Sequence, residues 1–183
     1  TVKSVKGTQT ASVSGRHHKS GLKADLPCVG DWVAVEDRPD ENQTIIQEIL
    51  PRKSKFSRKV AGDLADEQLV ATNIDTVFLV SGLDKEFNER RIERYLSVAW
   101  DSGATPVVIL NKLDICDSPE EIKKQVELIA PGVEIILTDA KSGIGVEELH
   151  KFCGFGKTVA FLGSSGVGKS TLVNAMIGEE KMK

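Results

Sequence analysis

The eight residues Gly163-Ser164-Ser165-Gly166-Val167-Gly168-Lys169-Ser170 fit the pattern G-x-x-x-x-G-K-[ST] without a mismatch, and they constrain everything around them. Such a loop works only between a buried strand and a helix. Here Val159-Ala160-Phe161-Leu162 precedes it, and the apolar spacing over Lys169–Ile177 predicts a helix after it. Its glycines let backbone N–H groups converge on phosphate oxygens, and the helix N-terminus adds partial positive charge. Lys169 is placed to reach β- and γ-phosphates and is the candidate catalytic residue; the Ser170 hydroxyl is the candidate Mg²⁺ ligand. Gly163, Ser164, Ser165, Gly166, Val167, Gly168, Lys169, Ser170 and Thr171 are thus candidate nucleotide-binding residues. The plain alternative is a Gly-rich turn with no ligand.

The pattern upstream of this loop alternates in kind. Thr76–Ser81, Pro106–Leu110, Val133–Leu137 and Thr158–Leu162 are short apolar runs. Helical spacing over Asn88–Trp100, Glu120–Ile129 and Val146–Phe152 separates them. Strands alternating with helices predict βαβ units and a parallel sheet covered on both faces. No apolar run approaches the roughly 20 residues that span a bilayer, so no membrane partner is expected. The three cysteines, Cys28, Cys116 and Cys153, are odd in number and far apart, which argues against a disulfide scaffold or a Cys-pair zinc site within the chain. A reducing, cytoplasmic compartment is expected.

Asn111-Lys112-Leu113-Asp114 follows the strand ending at Leu110 and matches N-K-x-D. This second loop looks like the guanine-recognition motif of GTPases. A carboxylate at Asp114 accepts from both the ring N–H and the exocyclic amine of guanine, a donor pair that adenine lacks. Asn111 is expected to brace neighbouring loops, and the Lys112 stem to cover the base plane. Thr138-Asp139-Ala140-Lys141 follows the next strand, where GTPases carry S-A-K; Ala140 is expected to offer its N–H to the guanine O6, with Asp139 in place of the usual Ser. An accidental N-K-x-D and an ordinary turn are the competing readings.

Most GTPases carry the phosphate loop first, whereas here Asn111 precedes Gly163. Loops at the C-terminal ends of parallel strands converge whatever their order in the chain, so a permuted chain builds the same pocket. The chain resembles the circularly permuted GTPases of the RsgA/YjeQ type. The resemblance rests on Val29-Gly30-Asp31-Trp32-Val33, Ile49-Leu50-Pro51-Arg52, Phe56-Ser57-Arg58, Gln68 to Asp75, Arg94-Tyr95-Leu96, Asn111–Asp114 and Gly163–Asn174. It implies an N-terminal OB-fold, a permuted GTPase domain and a C-terminal zinc domain. It further implies action in small (30S) ribosomal subunit assembly, with 16S-type rRNA and guanine nucleotide as partners and GTP, GDP and Mg²⁺ as ligands. Zn²⁺ is expected only in a C-terminal domain that this chain does not carry.

No Thr follows Thr171, and none of the twelve Asp residues is followed by Gly at the third position. The switch Thr and the D-x-x-G loop of GTPases are therefore not in the sequence, and a truncated chain is expected. Hydrolysis of GTP to GDP and phosphate is expected of the complete protein. The chain alone is expected to turn over GTP no faster than a Lys169→Ala variant.

The first sixty residues differ. They carry 11 Lys and Arg against 7 Asp and Glu, whereas the remainder carries 13 against 20. Short strands are predicted at Ala11–Ser14, Asp31–Glu36 and Thr44–Leu50, with turn signals between, which indicates a small barrel. Arg52–Asp66 reads as linker-like. The expected organisation is an OB-fold-like β-barrel over 1–62, a linker over 63–72, and a permuted α/β GTPase domain over 73–183, incomplete at its switch regions. Arg16, His17, Lys19 and Lys23 form one basic cluster beside His18; Arg52, Lys53, Lys55, Arg58 and Lys59 form a second. Both are candidate RNA contacts through phosphates, though a solvated face gives the same pattern. Trp32, in an alternating strand, fits a core position as well as a stacking one. The competing functions are an adenine-specific P-loop NTPase, and an RNA-binding module whose nucleotide domain is only a docking platform. A monomer is expected.

Overall fold

The computed structural model describes residues 1–5, 7–15, 26–38, 43–59 and 67–182, with backbone alone at 58, 59 and 67. The chain divides into two compact units, Thr1–Asn73 and Ile74–Lys183.

The first unit is all-β among its described residues. Strands β1 (Val2–Ser4) and β2 (Gly7–Gln9) form an antiparallel pair. Strand β5 (Gln43–Ile49) lies between β3 (Ala11–Val13), parallel to it, and β4 (Val33–Arg38), antiparallel to it. Strands β6 (Lys55–Lys59) and β7 (Glu67–Thr72) form a further antiparallel pair with an irregularity between Phe56 and Ser57. This mixed β architecture is OB-like. One expectation needs correction here. The span 63–72 is not simply a linker, because Glu67–Thr72 is a strand paired with Lys55–Lys59. Of the two positions open to Trp32, the exposed one is found: it precedes β4 and is 70% exposed.

What closes this unit is polar. The Asp31 side chain is almost fully buried and takes two hydrogen bonds from Arg52, through Nε and Nη2, each at 2.7 Å. The Cys28 N–H and the Thr72 hydroxyl also donate to it, at 2.8 and 2.7 Å. Burial pushes the Asp31 carboxyl up, but the Arg52, Cys28 and Thr72 hydrogen bonds outweigh it and hold the carboxyl below its ordinary value. Gly30 is required nearby: its φ is +95°, and a Cβ there would stand 2.1 Å from the Thr72 carbonyl oxygen.

The second unit is an open α/β sheet. Its strands are β8 (Thr76–Gly82), β9 (Thr105–Asn111), β10 (Glu134–Thr138) and β11 (Val159–Leu162). They lie in the order β10-β9-β8-β11, and every pair is parallel. Helix α1 (Glu89–Ser102) joins β8 to β9, and α2 (Pro119–Ile129) joins β9 to β10. The expected short helix over Val146–Phe152 is a 3₁₀ helix over Glu147–Phe152, and α3 (Lys169–Ile177) follows β11. Asn88 caps α1 by accepting from the Arg91 N–H, and Gly103, at φ 84°, ends it. The buried face of α1 is Ile92, Leu96, Ala99 and Ser102, a three-to-four-residue spacing. Phe78, wholly buried at the sheet centre, meets Phe152 and Phe161 edge-on with ring centroids 5.6 and 5.1 Å apart. The chain runs outward from β8 to β10 and then returns to β8's other side as β11. That reversal is where an open α/β sheet offers a crevice at its strand ends.

Candidate functional site: a phosphate loop and a base loop joined by one asparagine

The loop after β11 is shaped by close approaches that only glycine allows. A Cβ on Gly163 would stand 2.4 Å from the Val80 carbonyl oxygen, so this glycine lets β11 hug β8. Gly168 has φ +97°, and a Cβ there would stand 2.3 Å from the Asn111 amide nitrogen. Both positions are therefore fixed by packing as well as by any ligand. Lys169 Nζ donates to the carbonyls of Gly163 (3.0 Å) and Ser164 (2.6 Å), which lays the ammonium across the loop. No acidic residue occupies the first turn of α3, so its positive end is uncompensated. The Ser170 hydroxyl has no hydrogen-bond partner among the described residues. A cation over the loop and an uncommitted hydroxyl in the first helical turn are the donor set that a magnesium–phosphate group requires, so the residues fit it.

Asn111, at the end of β9, is 2% exposed and bonds in three directions. Its Nδ2 donates to the Val167 carbonyl in the phosphate loop at 2.9 Å. Its Oδ1 accepts from the Thr138 hydroxyl at 3.0 Å and from the Ala140 N–H at 3.1 Å. Sheet register sets this up, because Thr138 of β10 pairs directly with Asn111 of β9. One side chain thus ties together the loops after β9, β10 and β11. The bracing expected of Asn111 is present. The Ala140 N–H, expected to face a guanine O6, is instead directed to Asn111 Oδ1.

Lys112 stands at φ +73° and its ammonium bonds Asp84 Oδ2 at 2.5 Å. Leu113–Ile115 form a 3₁₀ turn that carries Asp114, whose side chain is 34% exposed with Lys141 Nζ at 3.7 Å. Asp139, in the position usually held by Ser, folds back on its own turn: Oδ1 accepts from the Lys141 N–H at 3.0 Å and Oδ2 from the Ser142 hydroxyl at 2.5 Å. The Ser142 bond is the main cause that holds the Asp139 carboxyl below its ordinary value. A cleft of about 630 Å³ opens between this turn and α3, lined by Ala140, Lys141, Ser142, Ser170, Thr171 and Asn174, among others. Its lining includes Ser170 and Thr171 of α3 and the turn after β10, but no residue of 111–114.

Spacing alone does not reveal three members of this network. Thr138 bonds Asn111; Asp84 bonds Lys112; and Arg91, on α1, donates from Nη1 to the Ser164 hydroxyl at 2.8 Å. No motif marks them, because each is placed by tertiary packing.

The candidate RNA contacts fare unevenly. Arg16, His17, His18, Lys19 and Lys23 lie outside the described residues, and the side chains of Arg58 and Lys59 are not described. Lys53 and Lys55 are exposed. Arg52 is not a phosphate-reaching side chain: it is 9% exposed and committed to Asp31 and the Leu26 carbonyl. Its charge is spent inside the unit. Among the described residues no group of three or more His, Cys, Asp and Glu side chains could hold a metal ion, and no helix is long and apolar enough to cross a membrane.

The chain is 44% identical to a protein of Opitutus terrae named small ribosomal subunit biogenesis GTPase RsgA, over 97% of this chain and 51% of that one. It is 42% identical to a protein of the same name from Methanosarcina acetivorans, over 94% and 46%. The chain spans about half the length of these curated relatives. Among solved structures it is similar to YjeQ from Thermotoga maritima, with a TM-score of 0.72 at 29% identity, covering 94% of this chain and 58% of that one. The fold is shared with YloQ, described as a circularly permuted GTPase, with a TM-score of 0.64 at 21% identity over 94% and 57%. The family model for RsgA GTPase matches residues 49–183, and the chain belongs to that family.

Proposed function

We propose that this chain is the nucleotide-binding part of a GTP-hydrolysing factor of small ribosomal subunit assembly. In this reading Asn111, Lys112, Leu113 and Asp114 form the guanine end of the site, braced by the Ala140 N–H on Asn111, and residues 163–171 the phosphate end. The observation that carries it is Asn111, which joins both ends through three buried hydrogen bonds. An accidental N-K-x-D has no reason to make them. Lys169 is the group that offsets charge on the phosphate oxygens, and Ser170 is the protein ligand for Mg²⁺. When bound, Mg²⁺ supplies positive charge against the β- and γ-oxygens. The names of the relatives support the small subunit as a partner. The OB-like unit is the surface proposed to meet RNA, with exposed Lys53 and Lys55 among its contacts. A cytoplasmic monomer fits this role.

The test is a change of base. Guanine offers Asp114 two donors, whereas xanthine offers one donor and one acceptor at the same edge, which suits an asparagine amide. Asp114→Asn is expected to weaken GDP binding and to bind xanthosine diphosphate in its place. Unchanged GDP binding in this variant would remove Asp114 from base reading.

A further inference from the structure

The loop after β8 brings a carboxylate to the base loop that belongs to neither motif. Asp84 Oδ2 receives the Lys112 ammonium at 2.5 Å, with the two side chains 21% and 28% exposed. Its other oxygen, Oδ1, accepts from the Glu86 N–H at 3.0 Å, so the carboxylate is itself fixed. Gly82 leaves room for it, since a Cβ there would lie 3.1 to 3.3 Å from the carboxylate atoms. At the other end of the contact, Lys112 keeps a left-handed backbone, φ +73°, which a lysine holds only when its surroundings impose it. The Lys112 hydrogen bond is the main reason that the Asp84 carboxyl stays below its ordinary value.

We propose that Asp84 is a positioning residue for the base loop: it anchors the Lys112 ammonium so that the lysine's methylene stem is ordered along one face of the bound purine. The inference rests on the guanine-nucleotide reading above. A lysine stem has many rotamers, and ordering it at the moment of binding subtracts from affinity. Asp84 orders it beforehand. Because the pair is partly solvent-exposed, its direct Coulombic contribution is small, and the effect falls on stem order. Asp84 acts through Lys112 and touches no nucleotide atom itself.

The test is a double-substitution cycle on GDP binding, read by displacement of a fluorescent GDP. Asp84→Asn is expected to weaken GDP roughly two- to twelvefold, the range set by ordering one long side chain. The affinity for inorganic pyrophosphate, which has no base, is expected to be unchanged in the same variant once the weaker binding of the fluorescent GDP is allowed for. In a Lys112→Met background, which keeps a stem but removes the ammonium, Asp84→Asn is expected to have no further effect. Asp84→Glu is expected to recover part of the loss, and thermal melting of each variant reports whether folding has changed. Equal losses for GDP and pyrophosphate, additive losses in the cycle, or full GDP affinity in Asp84→Asn would each overturn the positioning role. If the unsubstituted chain binds ADP as well as GDP, or binds no GDP, the guanine reading itself falls and this inference with it.

Discussion

Replacing Asn111 removes the one side chain that holds three loops together. Asn111→Ala deletes the bonds to the Val167 carbonyl, the Thr138 hydroxyl and the Ala140 N–H, all within 3.1 Å and all buried. At about 1 kcal/mol net for each buried bond, the substitution costs about 3 kcal/mol, and the partners left unsatisfied can raise that figure. Against the ~5–15 kcal/mol of a typical domain this is a large fraction, measurable as a lowered urea midpoint. Asn111→Asp separates geometry from hydrogen-bonding pattern. It keeps the two acceptor roles but sets an anionic oxygen against the Val167 carbonyl in a site 2% exposed. Burial and that carbonyl both favour the protonated acid, so the folded-state pKa of the new carboxyl is raised above its unfolded value. The folded chain then binds the extra proton more tightly than the unfolded one, and the variant regains stability as pH falls. Urea titrations of both variants at neutral and acidic pH, with GDP affinity measured alongside, decide the matter. A loss below about 1 kcal/mol in Asn111→Ala with GDP affinity unchanged would refute the claim that this residue organises the site.

Two further outcomes follow from the same contacts. Gly168→Ala, strained at φ +97° and aimed at the Asn111 amide 2.3 Å away, is expected to weaken GDP binding at least about tenfold, whereas Gly166→Ala meets no atom within 4 Å and suffers backbone strain alone; titration calorimetry compares them. Arg52→Met leaves the buried Asp31 without its cation and is expected to cost about 3 kcal/mol or more at neutral pH. In the unsubstituted chain Asp31 has a depressed folded-state pKa, so its contribution is present above the ordinary value of 3.8 and is lost as pH falls through the lowered one. The variant's urea midpoint should show less of that acid dependence, and an identical pH profile would contradict the buried-pair account.

Sequence showed the parts of the site whose chemistry is local. The phosphate loop needs its glycines, Lys169 and Ser170 in fixed positions, and Asn111 and Asp114 stand three residues apart at the end of β9, so each is recognisable in a short string. Apolar runs such as Thr76–Ser81 signalled the parallel strands because both of their faces are covered. What stayed hidden depends on neighbours far along the chain. Thr138 reaches Asn111 through sheet register, Arg91 reaches Ser164 from the first turn of α1, and Asp84 reaches Lys112 across two strand ends. In the β unit, β1, β2 and β6 are short and mostly polar and β7 places its apolar residues consecutively, so none shows a strong apolar alternation, and all are paired through their backbones. Arg52 shows the reverse error. Its charge reads as part of a basic surface, but proximity in sequence says nothing of burial, and Asp31 claims it.

The central claim is that the loops after β9, β10 and β11 make one guanine-selective pocket. The most direct measurement is displacement of a fluorescent GDP from the chain by excess GDP and, separately, by excess ADP. The account predicts displacement by GDP and none by ADP at the same concentration. Equal displacement by both nucleotides would contradict it, leaving a phosphate loop without a base reader.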